Sequence, residues 1–462
     1  VIERAAFERA LVVRWVRTVP VVFLVVGLGF GTWLSRLPAV RDHLDASATE
    51  MSVYGLCLAV GSLAGLVLSG RIVHRFGPRR TILVGIIATT ILLPGAAAII
   101  MSGAIPPGLA VLFAYGFAFS ICDVAMNVSG ANAEAAFGRP RMPLMHAGYS
   151  LGAVAATSLG GLAEALDVPV PVHFAAVMLA SAAVLFALLR NLPRDEQAAR
   201  AAGERAGRAG GSASPSLPAP EERDPATGSI PIIDSAAGQR PAFTTMTGSI
   251  PIQTRGRDRD ANGAAGEQPR RGSGSARPSS PWRDPRIFLI GLLTLSFGLF
   301  EGTASDWLPL ALVDGRELSN HLGSMMLSVF FAAVMSVRIA GSWLITRFGR
   351  VAVLRASAVL AAAGVVTTIL APGTPGAVLG VLAWGVGTGL GWPIAISAAA
   401  DRADTAARDV AAVSAIGYGA MLVGPMAFGF LGEHIGLLTA FWALLPFAVY
   451  VLFAASATRA RR

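Results

Sequence analysis

Residues Phe113–Asn132 read FAYGFAFSICDVAMNVSGAN. The stretch is almost wholly apolar, and a helix needs about 20 such residues to cross a bilayer. Yet it carries Asp123 and Asn127. A carboxylate in hydrocarbon is expensive, so such a residue faces a polar cavity or a partner. Four residues apart on a helix, Asp123 and Asn127 share one face. The stretch therefore reads as a membrane span that turns a titratable and a hydrogen-bonding side chain into one space.

The same pattern extends in both directions. The chain has 462 residues, of which 54% are hydrophobic and 14% charged. A soluble protein carries about 25% charged residues. Apolar runs of spanning length lie at 18–40, 50–73, 81–101, 108–132, 143–165 and 170–190. After a gap they resume at 286–313, 320–345, 351–371, 376–400, 409–432 and 437–457. Residues 191–285 are rich in Ala, Gly, Ser, Pro, Arg and Glu and cannot bury a core, which predicts a disordered linker. The predicted fold is an all-α polytopic membrane protein of about twelve transmembrane helices. Its predicted domains are an N-terminal half at 1–190, the linker at 191–285 and a C-terminal half at 286–462.

The net charge is +9, and every base is arginine. The arginines cluster at the ends of apolar runs and in the linker. Membrane topology explains them better than nucleic acid does. Basic joints such as HRFGPRR (74–80) and TRFGR (346–350) alternate with non-basic ones. The positive-inside rule then puts both termini and the linker in the cytoplasm. The first twenty residues show no cleavage pattern, so the first span is expected to stay in place. Cys57 and Cys122 fall inside apolar runs, which argues against a disulfide scaffold or a zinc site.

The two halves repeat each other. GTWLSRLP (31–38) answers GTASDWLP (302–309) at an offset of 271 residues. Arg75-Phe76-Gly77 answers Arg347-Phe348-Gly349 at 272, and Gly148-Tyr149 answers Gly417-Tyr418 at 269. Parallel repeats of six spans are the architecture of a rocking transporter with its site at mid-membrane between the halves. The linker holds a second, shorter repeat, TGSIPI at 227–232 and 247–252. It reads as drift in a linker or as a paired docking motif for a cytoplasmic partner.

The turn Gly70-Arg71-Ile72-Val73-His74-Arg75-Phe76-Gly77-Pro78-Arg79-Arg80 resembles the signature loop of the major facilitator superfamily, Gly-x-x-x-Asp-Arg-x-Gly-Arg-[Lys/Arg]-[Lys/Arg]. His74 stands where that pattern has Asp, and Pro78 where it has a base. Asp123-Val124-Ala125-Met126-Asn127 is similar to the acidic-x-Ala-x-Asn pattern of the fucose-permease-like branch, where the acid is tied to proton coupling. Arg338 to Phe348, RIAGSWLITRF, resembles the eighth helix of that branch. YbjJ-type members are the most similar, through Arg36-Leu37-Pro38, the span-four motif, His146 and Glu301-Gly302-x-x-x-Asp306-Trp307. Sugar porters of the branch carry an acid in span one, and between Val21 and Pro38 this chain has none. The resemblance implies two pseudo-symmetric six-helix halves of that superfamily's fold, in a bacterial cytoplasmic membrane.

The candidate residues carry two readings each. Asp123 reads as a proton carrier, with a structural anchor as the alternative; Glu301, near the middle of span seven, is the second candidate for titration. Asn127 binds substrate or bridges helices as polar glue. His146 is level with Asn127–Ala131 by helix rise, either as part of a polar ladder or as a capped helix end. Tyr149, Trp384, Trp392 and Tyr418 stack a substrate ring or pack the core, with Trp384 and Tyr418 the aromatic picks for the cavity. Arg338 needs a carboxylate, carbonyls or an anion, and reads first as an ion pair locking the C-terminal half. Arg36 and Asp306, of opposite charge near the outer ends of spans one and seven, are expected to pair when the outer mouth shuts. The alternative is that each snorkels separately to the headgroups.

No phosphate-cradling loop, metal-ligand cluster or nucleophile constellation appears, so neither an enzyme nor a cofactor is expected. The reading is a secondary active transporter of a small solute, proton-coupled and monomeric. The alternative is a membrane sensor signalling through its linker.

Overall fold

In the computed structural model, residues 2–137, 141–193, 283–402 and 405–459 are described. Both TGSIPI copies and nearly all of the expected linker lie outside them. Span one is Ile2–Leu34, continued after a break by Leu37–Leu44. Spans two to six are Ala48–Phe76, Pro78–Met101, Ile105–Phe137, Met142–Ala165 and Val170–Leu188. Span seven is Pro285–Arg316, eight Asn320–Phe348 and nine Arg350–Leu370. Span ten is Gly373–Thr388, resumed at Gly391–Ala399, and eleven is Ala406–Ile435. Span twelve starts at Leu437, passes through one 3-10 turn and ends as Leu445–Ala454. Among the described residues, eleven helices are long and apolar enough to cross a membrane; Met142–Ala165 is a twelfth long helix.

Large side chains face outward all round the bundle: Val67 is 72% exposed, Ile339 68% and Phe453 77%. A soluble protein of this size would hide such a belt, whereas lipid tails solvate it.

The repeat is visible in the backbone. Ser47 and Ser319 precede spans two and eight in the same extended conformation, and both helices run for 29 residues. Asp45 and Glu317 end the preceding helices in the left-handed region, at φ 49° and 54°. Gly77 and Gly349 close the far ends of spans two and eight at φ 80° and 79°. Each donates its N–H four residues back, to Val73 and Ile345, at 2.9 Å. Within the halves span one lies along five, and seven along eleven. Between them span five packs on eight and span two on eleven. The pseudo-two-fold axis exchanges those two contacts, as parallel repeats require.

Glycines permit the tightest helix pairs. A Cβ on Gly27 would sit 2.1 Å from the Tyr149 carbonyl oxygen, and one on Gly152 would sit 2.1 Å from that of Leu24. Spans one and five therefore touch backbone to backbone.

At the end of the bundle where span six leaves for the linker and span seven returns, the C-terminal half is stapled by charge. Asp401 takes Arg286 at 2.8 Å and Arg350 at 2.7 Å. Arg402 bridges Asp284 at 2.8 Å and Asp409 at 2.7 Å. We call this the linker end and its opposite the far end.

Candidate functional site

Polar contacts between the halves gather at the far end. Arg41 of span one pairs with Asp314 of span seven. Asn320 at the start of span eight donates to Asp42 at 2.7 Å and to Glu164 of span five at 3.4 Å. Deeper, Ser324 donates to the Ser35 carbonyl at 2.5 Å and Ser328 to Thr157 at 2.8 Å. On the other seam the Thr49 N–H donates to Glu433 at 3.2 Å. The far end is shut.

Behind that closure lie the candidate residues of mid-span. Among the described residues, the Asp123 carboxylate has no hydrogen-bond or ion-pair partner. Asn127 donates to the Asp123 carbonyl of its own helix at 2.9 Å, and its buried Oδ1 has no partner. His146 stands edge-on to Phe23 at 4.9 Å with its Nε2 unpartnered. Phe23 also approaches the Gly130 position, 3.6 Å from a Cβ built there. Spans four and five thus do set His146 near the level of Asn127. Tyr149 lies within electrostatic reach of Asp123 in its own half and of Glu301 and Arg338 in the other. His146 likewise feels Arg338. The structure therefore brings Asp123, Asn127, His146 and Tyr149 opposite Glu301 and Arg338, with the boundary between the halves in between.

Arg338 holds both Glu301 oxygens at 2.9 Å and donates through Nε to the Gly389 carbonyl at 3.1 Å. Both bonds to Glu301 come from the one Nη2, and the third, from Nε, reaches the break in span ten, where a carbonyl is freed. Glu301 is thus committed to an ion pair inside its own half, unlike Asp123.

Two expectations are corrected. Trp384 is fully buried between Phe330 and Phe441, at 6.0 and 5.2 Å. It is core of the C-terminal half rather than cavity lining, because its ring packs against spans eight and twelve. Trp392, just past the break, is half-buried against Tyr418 at 5.6 Å. Arg36 does not pair with Asp306 although the far end is shut. It is 4% exposed, ion-paired with Glu164 at 2.8 Å, and donates to the Val168 carbonyl at 2.9 Å. Its helix breaks at Ser35–Arg36, which turns the side chain towards span five of its own half. The cross-half charge pair lies further on, five residues past Arg36 and eight past Asp306, at Arg41 and Asp314.

In the signature loop, Gly70, His74, Arg75 and Arg80 lie at the linker end of spans two and three. His74, Arg75 and Arg80 are exposed. Arg75 covers the Phe76 ring at 5.6 Å, as Arg347 covers Phe348 at 5.8 Å. Arg79 reaches the Leu189 carbonyl at 3.4 Å. Asn320 and Glu164 were not legible as site residues, because short polar joints recur throughout the chain. A serine at the N-cap position in both halves was the available signal. Among the described residues, no group of His, Cys, Asp or Glu is placed to hold a metal ion.

The sequence matches the Major Facilitator Superfamily over residues 19–414. The chain belongs to the major facilitator superfamily. It is 31% identical to the uncharacterised transporter y4wD of Sinorhizobium fredii, over 96% of this chain and 97% of the relative. Its fold is that of superfamily transporters with solved structures. The nucleoside transporter NupG aligns at TM-score 0.63 and 13% identity, over 96% of this chain and 98% of that one. A D-xylose-proton symporter aligns at TM-score 0.63 and 12% identity, over 96% of each chain. This superfamily member is a transporter with a twelve-span fold of two halves.

Proposed function

We propose that the protein is a secondary active transporter that couples a small polar solute to protons, with Asp123 as the carrier. Alternating access between the halves moves the solute. The observation that carries the reading is the contrast at mid-span: Asp123 is unpartnered, while the other intramembrane acid facing it, Glu301, is neutralised by Arg338. A carboxylate without a partner can bind and release a proton without breaking the fold. Around it stand an amide, an imidazole and a phenol, which suit a solute with hydroxyl or amino groups. The positive-inside rule sets the linker end in the cytoplasm, so the structure would be the state shut to the outside.

Thermal stabilisation of the purified protein by a panel of nucleosides, pentoses and related polar solutes would find a ligand, since binding raises stability by mass action. That ligand is then followed in proteoliposomes under an imposed proton gradient. Asp123→Asn keeps the shape and removes the charge. It should abolish uphill accumulation and leave binding and exchange measurable. Equal loss of binding and accumulation in a folded variant would falsify the carrier role.

A further inference from the structure

At the far end, beside the Arg41–Asp314 pair, an open vestibule of about 430 Å³ is bordered by Arg41, Asp42, Asp45, Asp314 and Glu433. Four of these five ionisable groups are carboxylates, so the vestibule favours cations. Trp307 and Leu310 border it and also border a second, smaller space of about 20 Å³. That volume admits a single water molecule. Into it faces Asp306, among Trp33, Leu37, Met51, Gly55 and Pro425. The Trp307 side chain is 2% exposed, and its indole N–H has no partner. Among the described residues the Asp306 carboxylate has none either.

We propose that Asp306 is a proton-binding site fed from this vestibule, and that closing the far end takes up one proton there. The proposal does not rest on the role of Asp123.

At the far end, the charged groups on the elements packed against Asp306 are already engaged, His43 by the Met101 carbonyl at 2.8 Å among them. On span one, Arg36 is held by Glu164 and Arg41 by Asp42 and Asp314. On span two, Glu50 closes the capping box with Ser47. On span eleven, Glu433 accepts the Thr49 N–H and His434 bonds the Phe430 carbonyl. On span seven itself, Glu301 is held by Arg338. Among the described residues, no unengaged base lies at the far end of these elements to neutralise Asp306. An ionised carboxylate in such a wall lacks compensation, so the closed seam disfavours the charged form. A metal cation needs several oxygen ligands, and this wall offers one carboxylate. A proton needs one.

The sign follows from linkage. When the far end opens, Asp306 is solvated and ionises; when it closes, the neutral form is preferred. Closure therefore binds a proton and is favoured by low pH. For one proton the closed-to-open ratio changes by up to about tenfold per pH unit. An outward-facing molecule would then load its proton from the side on which it closes.

The test uses the full chain in nanodiscs, with Cys57 and Cys122 replaced by serine and spin labels at Leu166→Cys and Thr439→Cys. These exposed positions sit at the far end of opposite halves. Their distance distribution is measured between about pH 5 and pH 9, where a solvated carboxylate is ionised. In the parent the long-distance population should grow with pH. Asp306→Asn should stay closed throughout, and Asp306→Glu should keep a response. A parent without pH response, or Asp306→Asn with the parent's response, overturns the proposal. So does loss of the response in a well-folded Asp306→Glu. Should Asp306→Asn fail to fold, Asp306→Ser is read by the same criterion.

Discussion

Asp284 shows how a single carboxylate outside the membrane is put to structural use. It caps span seven by accepting the Arg286 N–H at 2.9 Å and pairs with Arg402 at 2.8 Å. Burial alone would raise its pKa, but the Arg286 N–H and the Arg402 guanidinium outweigh it and hold the carboxyl below its ordinary value. A depressed carboxylate stabilises the fold fully above its ordinary range, near pH 4, and less as pH falls through the folded value. Asp284→Asn keeps a good cap and removes the charge; Asp284→Ala removes both. Loss of the cap costs about 1 kcal/mol. Thermal unfolding should therefore show both variants below the parent at neutral pH. In acid Asp284→Asn should converge on the parent while Asp284→Ala stays lower. A gap between Asp284→Asn and the parent that is constant down to acid would show that the charge contributes nothing. Asp123 is the opposite kind of residue, since no group nearby repays its charge. That asymmetry between paired and unpaired acids separates scaffold from candidate site here.

The helices themselves were largely legible, and the exceptions are instructive. Apolar runs placed all twelve spans because lipid demands length and unbroken hydrogen bonding of any sequence that crosses it. The repeated Arg-Phe-Gly turn was legible for a local reason. Gly77 and Gly349 combine positive φ with an extended ψ, a region essentially kept for glycine that an L side chain pays about 1–3 kcal/mol to reach. Nothing lies within 4 Å of a Cβ built on Gly349, so only the backbone term acts there. Gly349→Ala and Gly77→Ala should each lower stability by that amount, and nearly equally, as read by thermal unfolding in detergent. A Gly349→Ala protein as stable as the parent would contradict the positive-φ turn. The breaks were not legible. Leu-Pro ends both GTWLSRLP and GTASDWLP, yet span one breaks at Ser35–Arg36 while span seven runs on through Pro309. The residue immediately before Leu-Pro is one of the four that differ. Arg36 reaches Glu164, more than a hundred residues away, whereas Trp307 packs into the core. Partners at that sequence distance leave no local trace. Trp384 was misread for the same reason, since a tryptophan on a glycine-rich helix looks alike from core and cavity.

At the scale of the molecule, two halves of nearly equal build meet through a seam whose polar part is concentrated at one end. Arg41 binds Asp314, and Asn320 joins Asp42 to Glu164 across the boundary. Arg41 is 15% exposed and Asp314 42%, so the pair is screened. Such pairs are worth about 0–1 kcal/mol each. That suffices to bias two states of similar energy by roughly fivefold without locking either, which a cycling transporter requires. Reversing one member changes more, because Arg41→Asp would face Asp42 and Asp314 together. Single reversal, Arg41→Asp or Asp314→Arg, should raise the far-end-open population. The double swap should bring it back towards the parent, because it restores opposite charges across the seam. The swap of Arg36 with Asp306 should not: Arg36→Asp meets Glu164 as a like charge, and Asp306→Arg puts a base into a small apolar space. Reactivity of a cysteine placed in the vestibule at Ala46 reads all of these variants on one scale. If the Arg41–Asp314 swap stays as open as its single reversals, the seam is held by shape and by its neutral hydrogen bonds, with charge a bystander. If the Arg36–Asp306 swap is the one that recovers, the outer latch uses a pair that the closed structure keeps apart.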